Sequence, residues 1–304
     1  MTRSLRFGLV GTGYWARITH APALAATDGI EFAAVWGRNA NAAAGLAARY
    51  HATAYQDLPE FLAGVDAVAF AVPPDVQAPV AIRAARAGKH LLLEKPAALT
   101  VADADALADA VQQAQVASVV FFTARFQADV RAWEAEVTAA GGWAGGCAVW
   151  LGSALQPASP FNTPWRQDNG ALWDLGPHVI SLLWASLGPV RSVTAQAGLA
   201  DVTHLILRHD SGVTSTATVT LSAPASAELT DLFLWGQAGR TAAPAQASDP
   251  VAPLRTALAE LAANARSGQL SHPCDARFGR DVVRILADAQ RQIGAHPWPG
   301  RNSG

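Results

Sequence analysis

The apolar run Leu5–Val10 stops at Gly11-Thr12-Gly13-Tyr14-Trp15-Ala16, and a helical pattern follows at once. A strand, a Gly-x-Gly-x-x-Ala turn and a helix in that order leave a chain few folds to adopt. Gly11 permits the tight turn. Gly13 lets backbone approach a pyrophosphate, and Ala16 lets helix and strand pack closely. The first N–H groups of the helix and its dipole then attract phosphate. Gly11, Thr12, Gly13, Tyr14, Trp15 and Ala16 are therefore candidate dinucleotide contacts. Glycine turns are common, so the flanking strand and helix carry the weight of this reading.

The alternation continues through residue 122. Strands are predicted at Glu31–Trp36, Ala67–Val72, His90–Leu93 and Val116–Phe122. Helices are predicted at about 13–26 with a break near Pro22, and at Ala40–Tyr50, Asp75–Ala87 and Thr100–Ala114. Gly88 is a good helix stop and Thr100 a good cap. Apolar strands alternating with helices predict an α/β fold, a parallel Rossmann sheet covered on both faces.

The second half predicts strands at Gly146–Leu151, Val190–Ala197, Val202–Arg208, Val213–Leu221 and Leu229–Trp235, with turns such as Asp210-Ser211-Gly212. That is an open, mostly antiparallel sheet. Thr214, Thr216, Thr218 and Thr220 share one face of it, which is expected to be wet or to meet another subunit. Helices are predicted at Asp174–Leu187, Leu254–Ala265 and Arg277–Arg291, with a Pro/Ala/Ser linker at 241–253. The expected domains are 1–122 for dinucleotide binding, 123–294 for substrate binding and oligomerisation, and a loose tail at 295–304.

Charge excludes one class of function. Twenty-two basic residues face 24 acidic ones across 304 residues, and the net charge of −2 lacks the basic surplus of a nucleic-acid binder. No apolar run approaches the roughly 18 residues of a membrane helix. The N-terminus shows no separate apolar segment with a cleavage site, and Cys147 and Cys274 stand alone. A reducing cytoplasm is expected. His204 and His209 face opposite sides of one strand, there is no His-x-x-x-His pair, and no metal site is expected.

Only two of the 22 basic residues are lysine, Lys89 and Lys95. Lys89 sits at a helix end, where a cation suits the dipole. Lys95 lies in Glu94-Lys95-Pro96, directly after a strand whose C-terminal end faces the ligand crevice of such a sheet. The second strand ends in Trp36-Gly37-Arg38-Asn39. An NAD site offers a carboxylate there for the ribose hydroxyl; Gly37 and Arg38 instead favour a 2′-phosphate and hence NADP(H). Stacking of Arg38 on adenine would suit either cofactor. In Asp174-Leu175-Gly176-Pro177-His178, Pro177 fits only a first helical turn, which puts Asp174 and His178 at a helix mouth with i,i+4 spacing. A histidine titrating at about 6.5 can exchange a proton at neutral pH. The long irregular stretch Ser153–Gly170 precedes it. Trp165 and Arg166 there are candidate substrate contacts, with core packing of Trp165 as the alternative.

Together these features resemble the Gfo/Idh/MocA oxidoreductase family. The resemblance rests on Gly11–Ala16, on Gly88-Lys89-His90 leading to Glu94-Lys95-Pro96, on Asp174-x-Gly176-x-His178, and on Arg125-Phe126 at the start of the second domain. It implies a catalytic set of Lys95, Asp174 and His178, with Lys95, Arg125, Trp165, Arg166, Asp174 and His178 around the substrate. It implies further cofactor contacts at Val72, Pro73, Gln77, Glu94 and Lys95. Two departures stand out. Pro73-Pro74 and Gln77 replace a Pro-Asn and histidine, and the glycine run before the aspartate shrinks to Asn169-Gly170-Ala171. The implied activity is hydride transfer between NADP, or NAD, and a sugar, polyol or related alcohol or carbonyl compound. His178 would be the general acid–base and Lys95 would stabilise the reacting oxygen. The implied partners are a small-molecule substrate and further copies of the chain, a homodimer or homotetramer through the C-terminal sheet, with no nucleic acid and no membrane. A non-catalytic dinucleotide sensor and a redox-neutral glycoside-cleaving enzyme are the alternative readings.

Overall fold

A computed structural model describes residues 4–245 and 249–295. The chain divides into two compact units. The first holds the chain up to Phe126 and a later segment ending at Asp281; the second holds the chain from Gln127 and, again, from Val282.

The first unit contains β1 (Leu5–Val10), β2 (Ile30–Trp36), β3 (Thr53–Tyr55), β4 (Ala67–Phe70), β5 (His90–Glu94) and β6 (Ser118–Phe121). They pair in the order β3-β2-β1-β4-β5-β6, all parallel. Helices α1 (Ala21–Ala26), α2 (Ala40–Arg49), α3 (Leu58–Ala63), α4 (Pro74–Arg86) and α5 (Val101–Ala114) make the crossovers. Leu91, Leu92, Leu93, Val119, Val120 and Phe121 are all fully buried, as strands between two helical layers require. Each such side chain contributes about 1.5–3 kcal/mol by leaving water. Strand order reverses between β1 and β4, and ligands bind such sheets outside the strand ends at that point.

The first helix does not break at Pro22. It passes from Tyr14 through a π-helical turn at Ala16–His20 into α1 without interruption. The Ala21 N–H reaches back five residues to the Ala16 carbonyl, so the widened turn lies directly before the proline that lacks an N–H.

The expected boundary of the second domain also changes. Helix α9 (Val251–Ser267) and the start of α10 (Ala276–Ala295) group with the first unit. The reason is the open edge of β6, whose unpaired groups need cover. The Val120 N–H donates to the Cys274 carbonyl at 2.7 Å, and the Ala276 N–H to Ser118 Oγ at 3.0 Å. His272 stacks on Phe126, and Phe278 meets Phe122 edge-on.

The second unit contains β7 (Trp143–Leu151), β8 (Val190–Ala197), β9 (Thr203–His209), β10 (Thr214–Thr220), β11 (Leu229–Gly236) and β12 (Gly239–Ala242), in the order β12-β11-β7-β10-β9-β8. Only β7 and β10 pair parallel; the other neighbours are antiparallel. Ala148, Trp150, Leu205, Leu207, Ala217, Val219, Leu232 and Leu234 are buried on one face. Helices α6 (Ala128–Ala140), α7 (Pro164–Asp174) and α8 (Gly176–Leu187) belong to this unit, and α8 packs on β7 and β10. The opposite face exposes Thr214, Thr216, Ile206 and Arg208, while Thr220 turns into a bond with Asp201.

The helix expected at Asp174–Leu187 is two helices. Asp174 ends α7, and α8 begins at Gly176. The irregular stretch stops at Thr163, and α7 carries a kink at Gly170 (φ 65°). The expected linker at 241–253 begins inside β12 and ends inside α9, with 246–248 outside the described residues. The expected tail lies outside them too, beyond Ala295.

His209 is buried on β9. Its Nδ1 lies 2.7 Å from the Gly188 carbonyl, and its Nε2 2.8 Å from Ser215 Oγ. A neutral ring donates to the first and accepts from the second. Burial pushes its pKa down, against the opposing pull of the Gly188 carbonyl and Asp210. Below about pH 6.5 the unfolded chain therefore binds a proton that the native ring resists, and stability falls. His90, also lowered by burial, acts in the same direction. The thermal midpoint should drop between about pH 7 and about pH 5.5, and His209→Asn should drop less over that window.

Candidate functional site

In the first unit, Gly11 leaves β1 at φ 125°, and its N–H donates to the Trp36 carbonyl at 2.9 Å. A Cβ there would run into the Ala71 carbonyl oxygen and crowd Val72, so only glycine fits. A Cβ on Gly37 would lie 2.9 Å from Thr12 Cγ2, which ties the end of β2 to the turn. Around Gly13 there is open space, Tyr14 is exposed, and Ala16 is fully buried against the sheet. Backbone N–H groups at the start of a helix beside an open glycine fit a pyrophosphate. Arg38 is exposed at the end of β2, and Asn39 caps α2 through the Ala42 N–H. Val72 and exposed Pro73 border the turn from the end of β4.

Lys95 follows β5, joined to Pro96 by a cis peptide bond. Two other segments hold this corner. The Trp15 Nε1–H donates to Glu94 Oε1 at 2.6 Å, and His20 Nε2 lies 2.9 Å from the same oxygen. The Lys95 backbone N–H donates to Glu94 Oε2 at 3.2 Å. Gln77 Oε1 accepts the Glu94 backbone N–H at 2.8 Å, and Gln77 Nε2 donates to the Glu94, Pro96 and Ala97 carbonyls. Gln77 was expected to touch the cofactor. It is fully buried, with its amide engaged by backbone, and it serves the turn instead. His20 has no counterpart among the expected site residues. Its one sequence signal is a histidine in an otherwise small and apolar stretch. Lys89 Nζ donates to the Val65 carbonyl at 2.9 Å, a structural bond. Arg125 sits in a short 3-10 turn at Thr123–Phe126, within the first unit.

In the second unit, Asp174 is 5% exposed and accepts from Arg166 Nε at 2.9 Å. The guanidinium lies 4.8 Å from the Trp165 ring centroid and 5.5 Å from that of Phe161. Of the two expected substrate contacts, Arg166 pairs with the aspartate and Trp165 lies against that guanidinium. His178 opens α8 and stacks on Trp150, with centroids 5.4 Å apart. Asp174 and His178 flank the α7–α8 junction, two helices meeting at Leu175. A cavity of about 440 Å³ borders α7, lined by Asp168, Asn169, Asp201, Thr203 and Gln290 among others, but not by Asp174 or His178. Among the described residues no three His, Cys, Asp or Glu side chains group to hold a metal ion, and no helix is long and apolar enough to cross a membrane.

Comparison with known proteins gives a consistent picture. A family model described as "Oxidoreductase family, NAD-binding Rossmann fold" matches residues 5–122, and the GFO/IDH/MocA C-terminal domain matches residues 105–241. An uncharacterised oxidoreductase of Synechocystis sp. is 32% identical over 213 residues, 66% of this chain and 56% of its own. A UDP-N-acetylglucosamine 3-dehydrogenase of Acidithiobacillus ferrooxidans is 38% identical over 109 residues, 36% of this chain and 34% of its own. These matches thus span between a third and somewhat over half of the curated relatives' lengths. The crystal structure of GenD2 from gentamicin A biosynthesis, in complex with NAD, superposes with a TM-score of 0.84 at 21% identity, covering 97% of this chain and 95% of that one. At that identity the likeness concerns the fold.

The Arg166–Asp174 pair makes its own prediction. Arg166→Leu removes a charged partner from a buried carboxylate and should cost about 3–5 kcal/mol of stability in denaturant unfolding. Adding Asp174→Asn should recover part of that loss. An additive double variant would show that the two side chains do not depend on each other.

Proposed function

The chain belongs to the GFO/IDH/MocA oxidoreductase family, and from that premise we propose that it is an NAD(P)-dependent dehydrogenase or reductase acting on a sugar, polyol or related alcohol or carbonyl compound. The observation that carries this reading is the bond from Trp15, in the glycine-rich turn, to Glu94 beside Lys95. It brings a dinucleotide-binding helix and an adjustable cation to one end of one sheet. The sugar dehydrogenase named among the relatives supports a hydroxylated substrate.

A bound nicotinamide dinucleotide supplies the hydride donor or acceptor. Residues 11–16 would hold its pyrophosphate on helix N–H groups, with Val72 and Pro73 alongside. Gly37 leaves room at the adenosine ribose, and Arg38 pairs with a 2′-phosphate, which favours NADP(H) over NAD(H). Lys95 Nζ hydrogen-bonds the reacting oxygen and stabilises its developing negative charge. His178 removes the hydroxyl proton in oxidation and returns it in reduction. Asp174, charged and fixed by Arg166, orients a substrate hydroxyl. Trp165 offers an indole face to a sugar ring, and Arg125 adds a cation. A second copy of the chain covers the open sheet face, where Ile206 and Trp235 stand exposed among threonines, to form a homodimer or homotetramer.

Lys95→Arg should keep dinucleotide affinity and lose about a hundredfold or more of turnover, because a bulkier, always-charged fork misplaces the donor. Near-normal turnover in that variant sinks the assignment. A spectrophotometric panel of sugars, polyols and carbonyl compounds with both cofactors should show NADP(H) preferred. Arg38→Ala should raise KM for NADP(H) about tenfold or more and leave NAD(H) unaffected. A large native preference for NAD(H) overturns the reading of Gly37-Arg38.

A further inference from the structure

His20 is a fully buried imidazole that none of the chemistry above employs. It ends the π-helical turn that begins at Ala16, with Trp15 just before that turn. Trp15 and His20 are five residues apart. At about 100° per residue, α-helical spacing would set them about 140° apart around the axis. The π turn, whose bonds run from i to i+5, stacks residues five apart on one face instead. Both side chains then reach one carboxylate oxygen, Glu94 Oε1, at 2.6 Å and 2.9 Å. The Nδ1 of His20 is buried with no hydrogen-bond partner among the described residues. An unpaired N–H there would be costly, so the proton belongs on Nε2, which donates to Glu94. The other carboxylate oxygen accepts the backbone N–H of Lys95.

We propose that Trp15 and His20 are positioning residues for Lys95. The widened helical turn aims two N–H donors at Glu94, and the anchored carboxylate holds the Lys95 amide. The pyrophosphate-binding helix and the lysine are thereby locked into one register. The assignment rests on Lys95 as the group that meets the reacting oxygen.

The chain has only two lysines, which permits a test independent of turnover. Reductive ¹³C-methylation labels both side chains, and Lys89→Arg identifies the Lys95 resonance. Trp15→Phe and His20→Leu, each checked for folding by near-UV circular dichroism, should shift and narrow that resonance as the lysine gains freedom. His20→Gln, which keeps an amide N–H at similar reach, should restore the wild-type signal. In a Glu94→Gln background, Trp15→Phe should have little further effect, because the relay is already broken. In the active enzyme His20→Leu should lower kcat about tenfold or more and leave the NADPH dissociation constant unchanged. An unaltered Lys95 resonance in both Trp15→Phe and His20→Leu overturns the proposal, as does a loss that His20→Gln does not rescue. If His20→Leu does not fold, Trp15→Phe decides. If wild-type protein turns over no substrate, the activity reading falls while the resonance still decides the positioning role.

Discussion

The corner after β5 is the constraint on which the first unit turns. A parallel strand ends there with its last polar groups facing inward, and buried polar groups must find partners. Gln77, fully buried on α4, answers the backbone on both sides of the corner: its oxygen takes the Glu94 N–H and its nitrogen reaches three carbonyls. The Glu94 side chain then faces the other way, toward Trp15 and His20. Two crossover segments, far apart in sequence, therefore set the position of one short turn. Lys95 has its address because its neighbours on both sides are fully bonded.

The second unit treats its charged group differently. Asp174 is nearly buried, and a buried carboxylate is tolerable only with a partner. Arg166 supplies the charge, while the Trp165 and Phe161 rings shelter the guanidinium from water. The irregular segment before α7 thus has a physical role, since its Phe161 ring helps to line an ion pair. His178 stacks on Trp150, a buried residue of β7.

Much of this was legible in the residues. The glycine-rich turn could be read because a positive φ at Gly11 and a backbone oxygen against its Cβ position exclude other side chains. Five strands of the parallel sheet followed from apolar runs too continuous for any strand exposed on one face; β3, three residues long and mostly exposed, offers no such run. Lys95 and the Asp174–His178 pair stood out by residue type and by position relative to predicted elements. The split between α7 and α8 did not, since Gly176-Pro177 suits a first turn whether or not a helix precedes it. His20 read as an ordinary polar residue of its helix and Gln77 as a cofactor contact, because nothing local in either helix announces a strand end as its partner. The return of the chain to cover β6 was equally hidden. An edge strand shows in sequence only as a strand, and its cover arrives more than 150 residues later, the Ser118–Ala276 bond spanning 158 positions.

The sequence by itself determined the quantities that decay over a few residues: periodicity, turn chemistry, caps and the residue types able to handle a proton or a phosphate. The tertiary structure alone decided who meets whom. Trp15 and Glu94 are separated by 79 positions, and no propensity scale relates them. Their meeting follows from the strand order, which places the end of β5 near the helix after β1, and from the cost of leaving a buried carboxylate without donors. Local rules act through neighbouring dihedrals and side chains. A buried hydrogen bond acts wherever folding brings a donor, whatever the distance along the chain.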